Sequence, residues 1–180
     1  SRVGFVLVGQ QGEGVGRIAA LGPDTKGPAI GQTVLLPVGC GTWATHVVAN
    51  AAHLMPLPNE ADPKQLSMIS VNPPTAALLL SDFATLQAGD WVIQNTANSG
   101  VGGYLVQLAK LKGIRTVNVV RRESAVAGVL AQGGDVVLVD GDDLAARVKE
   151  ATSGAAIRLA VDAVGGMGTI YRGEQLVLAR

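Results

Sequence analysis

The stretch from Trp91 to Gly102 constrains the fold of this chain more than any other. Trp91, Val92 and Ile93 form a short apolar run suited to a buried strand. The run passes through Gln94-Asn95-Thr96-Ala97-Asn98-Ser99-Gly100-Val101-Gly102, a glycine-bearing turn. Leu105, Leu108, Ala109 and Lys112 then recur at helical spacing, predicting a helix over residues 102–112. Such a turn directs free backbone N–H groups, and the positive end of a helix dipole, at an anion.

The same alternation continues downstream. Strands are predicted over 91–94, 115–120, 136–139 and 159–164, with helices over 124–132 and 144–151 and a last helix from about Met167. Strands apolar throughout and separated by helices imply a parallel sheet covered on both faces. Right-handed crossovers make it a doubly wound α/β sheet. Residues 63–87 read as mostly helical, with a break at Asn72-Pro73-Pro74.

The first sixty residues differ. Short apolar runs alternate with Gly and Pro turns, predicting strands over 15–21, 33–38 and 43–49 of an all-β module that closes at Met55-Pro56-Leu57-Pro58. The opening run from Val3 to Val8 reads as a buried strand and is too short for a signal peptide or a membrane span. Two domains are expected, over residues 1–62 and 63–180.

Composition narrows the function. Hydrophobic residues make up 48% of the 180 but aromatics only 3%, so the core is expected to be Val, Leu, Ile and Ala. Lys plus Arg and Asp plus Glu are each 14, a balance that favours neither a nucleic-acid nor a membrane partner. The lone Cys40 excludes an internal disulfide and a cysteine-rich zinc site, and a reducing cytoplasm is the natural setting.

The strict G-x-G-x-x-G does not occur; Ala97, Ser99 and Gly102 occupy its three places. Ala97 and Ser99 are small enough for close backbone approach, Ser99 adds a hydroxyl, and Gly102 lets helix pack on strand. Taken alone, the turn is also compatible with an ordinary strand-to-helix connection. The end of the next strand adds the second signal. An NAD site places an acid there to bond the ribose 2′-hydroxyl, whereas this chain has Arg121 and Arg122. Guanidinium suits bidentate phosphate binding. Two cations at a solvated helix start would oppose the helix dipole, so the pair reads as a site for the extra phosphate of NADPH. Glu123 either pairs with an arginine or favours the helix start.

Four segments carry a family resemblance. They are Val71-Asn72-Pro73-Pro74-Thr75-Ala76, Gly89-Asp90-Trp91-Val92-Ile93-Gln94-Asn95, Asn98-Ser99-Gly100-Val101-Gly102 and Thr116-Val117-Asn118-Val119-Val120-Arg121. Together they resemble the mitochondrial-type trans-2-enoyl thioester reductases, zinc-free members of the medium-chain dehydrogenase/reductase superfamily. The resemblance runs over about residues 12–166. It includes Gly12-Glu13-Gly14-Val15-Gly16, Gly41-Thr42-Trp43 and Val164-Gly165-Gly166.

The resemblance implies part of a Rossmann-type sheet preceded by part of a GroES-like β module. It implies NADPH-dependent reduction of the α,β double bond of an enoyl-CoA or enoyl-acyl-carrier-protein substrate. Asn72 would lie at the cofactor. Asn98, Ser99, Gly100, Val101 and Gly102 would hold the pyrophosphate, and Arg121, Arg122 and Glu123 the 2′-phosphate. Trp43 matches a tryptophan near the acyl pocket, or is a core aromatic of the β module. The family's catalytic tyrosine lies upstream of the Gly-x-Glu-Gly-Val-Gly region, where this chain begins, so no catalytic residue is assigned. Tyr104 and Tyr171 read as packing residues.

Zinc is not expected. Gly12 stands where related alcohol dehydrogenases have histidine, and His46 and His53 lack ligand-spaced partners. The chain is expected to be truncated at both ends, a homodimer when whole, and cytoplasmic, or mitochondrial in a eukaryote. The competing readings are a zinc-free NADPH:quinone reductase and a catalytically inactive NADPH-binding fragment.

Overall fold

The computed structural model describes residues 3–10 and 12–164. It divides into two compact units, Ser1–Pro74 and Thr75–Arg180. The first is a four-stranded antiparallel GroES-like sheet of β1 (Val3–Gln10), β2 (Glu13–Leu21), β3 (Thr33–Leu35) and β4 (Met55–Pro56), adjacent in that order. Val15 faces Leu35 and Arg17 faces Thr33 across the β2–β3 ladder. Ile18, Val34, Leu36, Val47, Ala51 and Leu54 form its core, with Cys40 packed against them. Burial pushes the Cys40 thiol pKa up, partly offset by a backbone hydrogen bond, which favours the protonated thiol.

This unit also holds α1 (Pro63–Leu66) and the start of α2 (Asn72–Ser81). Asp62 caps α1, its carboxylate accepting from the Lys64 amide. The helical run is broken as expected, but over residues 67–71, and Asn72-Pro73-Pro74 begins α2. Proline lacks an N–H, and the first helical positions need none, so prolines that would break a helix interior can open one. The strand expected over residues 43–49 is not formed. That segment is irregular apart from a single bridge at Ala49. β-branched residues at 45–48 favour a strand only where a neighbour pairs with it.

The second unit is the doubly wound sheet. Its strands are β5 (Trp91–Gln94), β6 (Arg115–Val120), β7 (Val136–Val139) and β8 (Ile157–Val161), all parallel, in spatial order β7-β6-β5-β8. Between them run α3 (Gly100–Leu111), a one-turn 3₁₀ helix (Glu123–Ala125) continuing into α4 (Val126–Ala131), and α5 (Leu144–Ala151). Strand β8 ends three residues short of the expected 164. The last helix expected from Met167, and Tyr171, lie outside the described residues.

Alternate residues of β5 face opposite sides. Val92 packs with Ala76, Leu80, Leu105 and Ala109 of α2 and α3. Trp91 and Ile93 pack with Leu144 and Val148 of α5. On the α3–α4 side, Ala97, Val106, Val120 and Val129 make a further cluster at the strand ends. The core is thus Val, Leu, Ile and Ala, apart from Trp91. The Arg115 guanidinium lies 4.0 Å from the Trp91 ring centroid, a cation–π contact between register partners.

Trp43 is not a core aromatic; it is 84% exposed, whereas Leu105 is fully buried. Leu105→Ala is expected to cost about 2–5 kcal/mol of unfolding free energy. Trp43→Ala should stay within about 0.5 kcal/mol of the parent. Urea denaturation of both variants checks this, and comparable losses would place Trp43 in a packed environment.

Candidate functional site

The carboxyl ends of β5, β6 and β8 converge where the strand order reverses direction, the place at which open α/β sheets bind ligands. A cleft of about 370 Å³ opens there. Thr96, Asn98 and Ser99 line it from the β5–α3 turn, Arg121, Arg122 and Ala125 from beyond β6, and Ala163 and Val164 from beyond β8.

Ser99 is the N-cap of α3. Its Oγ accepts from the Gly102 amide at 3.1 Å, and its carbonyl accepts from the Gly103 amide at 2.9 Å. The serine therefore acts as an acceptor through Oγ, and its hydroxyl proton is still available to donate. Gly100 and Val101 occupy the first helical positions, whose N–H groups have no intrahelical acceptor. They give this 12-residue helix its electropositive end.

The helix starts as close to β5 as a backbone allows. A Cβ built on Gly102 would lie 2.7 Å from the Ala97 carbonyl oxygen and 2.9 Å from Ala97 Cα. Both are backbone atoms that no rotamer change can move. A buried amide pair fastens the same turn. Gln94 Nε2 donates to the Gly102 carbonyl at 3.1 Å and to Asn118 Oδ1 at 2.8 Å. Asn118 Nδ2 in turn donates to Thr116 Oγ1 at 2.9 Å and to the Val136 carbonyl at 3.1 Å. Gln94 and Asn118 face each other in the β5–β6 register and are almost inaccessible. A buried amide without partners is costly, so this chain from α3 to β7 selects one arrangement of the turn.

Arg121 and Arg122 follow β6 directly and are exposed at the cleft. Among the described residues the one ion pair is Arg147–Asp143, so Glu123 forms no salt bridge with either arginine. Glu123 instead lies in the first turn of the 3₁₀ helix and does not line the cleft. Thr96 has φ of +46°, an uncommon conformation for a β-branched residue, and its buried Oγ1 has no hydrogen-bond partner among the described residues. Strain and an unsatisfied hydroxyl thus coincide at the cleft wall.

The structure therefore brings together Asn98, Ser99, Arg121 and Arg122, with Gly100, Val101 and Gly102 forming the helix start behind them. Asn72 and Trp43 belong to the first unit: Asn72 is half-buried at the start of α2, and Trp43 is exposed. Sequence reasoning missed Thr96, Ala125, Ala163 and Val164 as cleft walls. It also missed Gln94 and Asn118 behind the turn, although a polar amide in each of two apolar strands was a readable signal. Among the described residues, no group of three or more His, Cys, Asp or Glu could hold a metal ion, and no helix is long and apolar enough to cross a membrane.

A doubly wound parallel sheet preceded by a GroES-like antiparallel sheet is the architecture of the medium-chain dehydrogenases/reductases. No family model matches the chain. It is 36% identical over 163 residues to the mitochondrial enoyl-acyl-carrier-protein reductase of Xenopus tropicalis, covering 87% of this chain and 47% of that protein. Its structure is similar to the mitochondrial 2-enoyl thioester reductase heterodimer of Candida tropicalis, with TM-score 0.79 and 29% identity over 92% of this chain and 52% of that one. A mycobacterial protein complexed with NADPH gives TM-score 0.77 and 27% identity over 97% of this chain and 54% of its own. The chain matches from 29% to 47% of the length of these curated relatives. It is homologous to the mitochondrial enoyl reductases and carries the medium-chain dehydrogenase/reductase fold.

Gly102→Val should cost about 1–3 kcal/mol or more of unfolding free energy, because the side chain meets Ala97 backbone. Gly128, in α4, has open space around its Cβ position, so Gly128→Ala should stabilise by about 0.4–1 kcal/mol. Chemical denaturation of the two variants checks the contrast, and a neutral Gly102→Val would mean that helix and strand are less closely apposed.

Proposed function

We propose that the protein binds NADPH and reduces the α,β double bond of an enoyl thioester. The observation that carries the cofactor reading is the placement of two guanidiniums, without ion pairs among the described residues, at the same cleft as the capped start of α3. The residues fit the group. The amides of Gly100 and Val101 and the Ser99 hydroxyl would hold the pyrophosphate. Arg121 and Arg122 would hold the 2′-phosphate by charge-assisted, bidentate hydrogen bonds. Glu123 would act by favouring the helix start, its charge balancing the two cations.

When bound, NADPH would supply the hydride that goes to the substrate β-carbon. The thioester reading is supported by the relative from Xenopus tropicalis and the structure from Candida tropicalis, which carry enoyl reductase and enoyl thioester reductase names. Asn72, at the start of α2, is proposed to contact the cofactor, and the exposed Trp43 to contact the acyl chain. Tyr104 packs against the α2–α3 core and is not assigned the proton that reaches the α-carbon. A two-subunit assembly and a mitochondrial setting belong to the same proposal, following those two relatives.

Charge-assisted hydrogen bonds contribute about 1.5–3 kcal/mol each, so Arg121→Ala should weaken NADPH binding roughly 10–100-fold. NADH affinity should stay nearly unchanged. Equal losses for the two cofactors, measured by fluorescence titration, would contradict a 2′-phosphate role. With the whole protein, crotonyl-CoA should drive NADPH oxidation faster than a quinone does; the reverse order would favour a quinone reductase.

A further inference from the structure

The β8 side of the cleft is held by a side chain that follows another strand. Asn95 directly follows β5 and is buried. Its amide N–H donates to the Val161 carbonyl, the last residue of β8, at 3.2 Å. Its side chain continues the junction beyond the strands. Asn95 Oδ1 accepts from the Ala163 amide at 2.8 Å, and Asn95 Nδ2 donates to Asp162 Oδ1 at 2.5 Å. The same Asp162 oxygen accepts from the Val164 amide at 2.9 Å. Ala163 and Val164 are the residues that wall the cleft from this side.

Asn95 lies where β5 and β8 are neighbours and their following segments part to open the crevice. From here the phosphate turn begins on one side, and the 162–164 segment leaves on the other. No other hydrogen bond between side chain and backbone ties Ala163 in place among the described residues. We propose that Asn95 is a positioning residue that fixes the β8-side wall of the cleft and thereby the half of the dinucleotide farther from Arg121. This rests on the NADPH reading.

Arg121 and Arg122 stand beyond β6, on one flank of β5, and the Asn95-held wall stands beyond β8, on the other. A ligand whose 2′-phosphate sits on the arginines and whose pyrophosphate crosses the α3 start extends its remaining half over that wall. Releasing the wall should therefore affect that half alone. The adenosine 2′-phosphate half should still find its site.

Two variants separate this role from general stability. Asn95→Leu removes both side-chain hydrogen bonds. Asn95→Asp keeps the shape and the acceptor for Ala163 but sets a carboxylate against Asp162. Affinities of each for NADP⁺ and for 2′,5′-ADP are measured by calorimetry, with thermal unfolding followed in parallel. Both variants should bind NADP⁺ about tenfold or more weakly, the worth of a buried hydrogen bond or more, and 2′,5′-ADP within about twofold of the parent. Unchanged NADP⁺ affinity in Asn95→Asp, or equal losses for both ligands, overturns the inference. Failure of the parent chain to bind either ligand overturns the NADPH reading and this inference with it.

Discussion

The second unit depends on how closely α3 starts against the end of β5. Gly102 and the Ala97 backbone leave no room for a β-carbon. That contact fixes the height at which the helix emerges above the sheet, and with it the position of every free N–H in its first turn. A longer, looser turn would still give a helix on a sheet. It would not gather the Ser99 cap, the Gly100 and Val101 amides and the β6 arginines around one cleft.

Hydrophobic burial alone would not select this geometry, because apolar contacts tolerate small slips of a helix along a strand. The buried amides remove that freedom. Gln94 can satisfy the Gly102 carbonyl and Asn118 together only if β5, β6 and α3 hold one mutual arrangement. Asn118 passes the constraint to β7 through the Val136 carbonyl. Asn95 does the equivalent work toward β8. Two consecutive polar residues at the end of an apolar strand thus fasten its two neighbours, one on each side.

Much of this was legible in the chain itself. The β7 and α5 limits follow directly from four consecutive apolar residues and from the 3–4 spacing of 144–151. The tight β5–α3 turn was legible because Ala97 and Gly102 have a steric reason to be small and Ser99 is a good helix cap. The paired arginines were legible by their charge at a strand end. The strand at 43–49 was misread because β-branched residues signal a preference, while pairing depends on a partner strand that the local sequence does not reveal. The break read at Asn72-Pro73-Pro74 falls just ahead of it, because proline breaks or begins a helix according to position. Ala125, Ala163 and Val164 carry no chemical signature, and only the strand order brings them to the cleft.

The α3 start and the β6 arginines are proposed to form one dinucleotide site, which a crystal structure of the protein with NADP⁺ would reveal. The pyrophosphate should lie over the Gly100 and Val101 amides, with the 2′-phosphate within about 3 Å of an Arg121 or Arg122 nitrogen. A dinucleotide bound elsewhere, or with its 2′-phosphate turned away from both arginines, would contradict it.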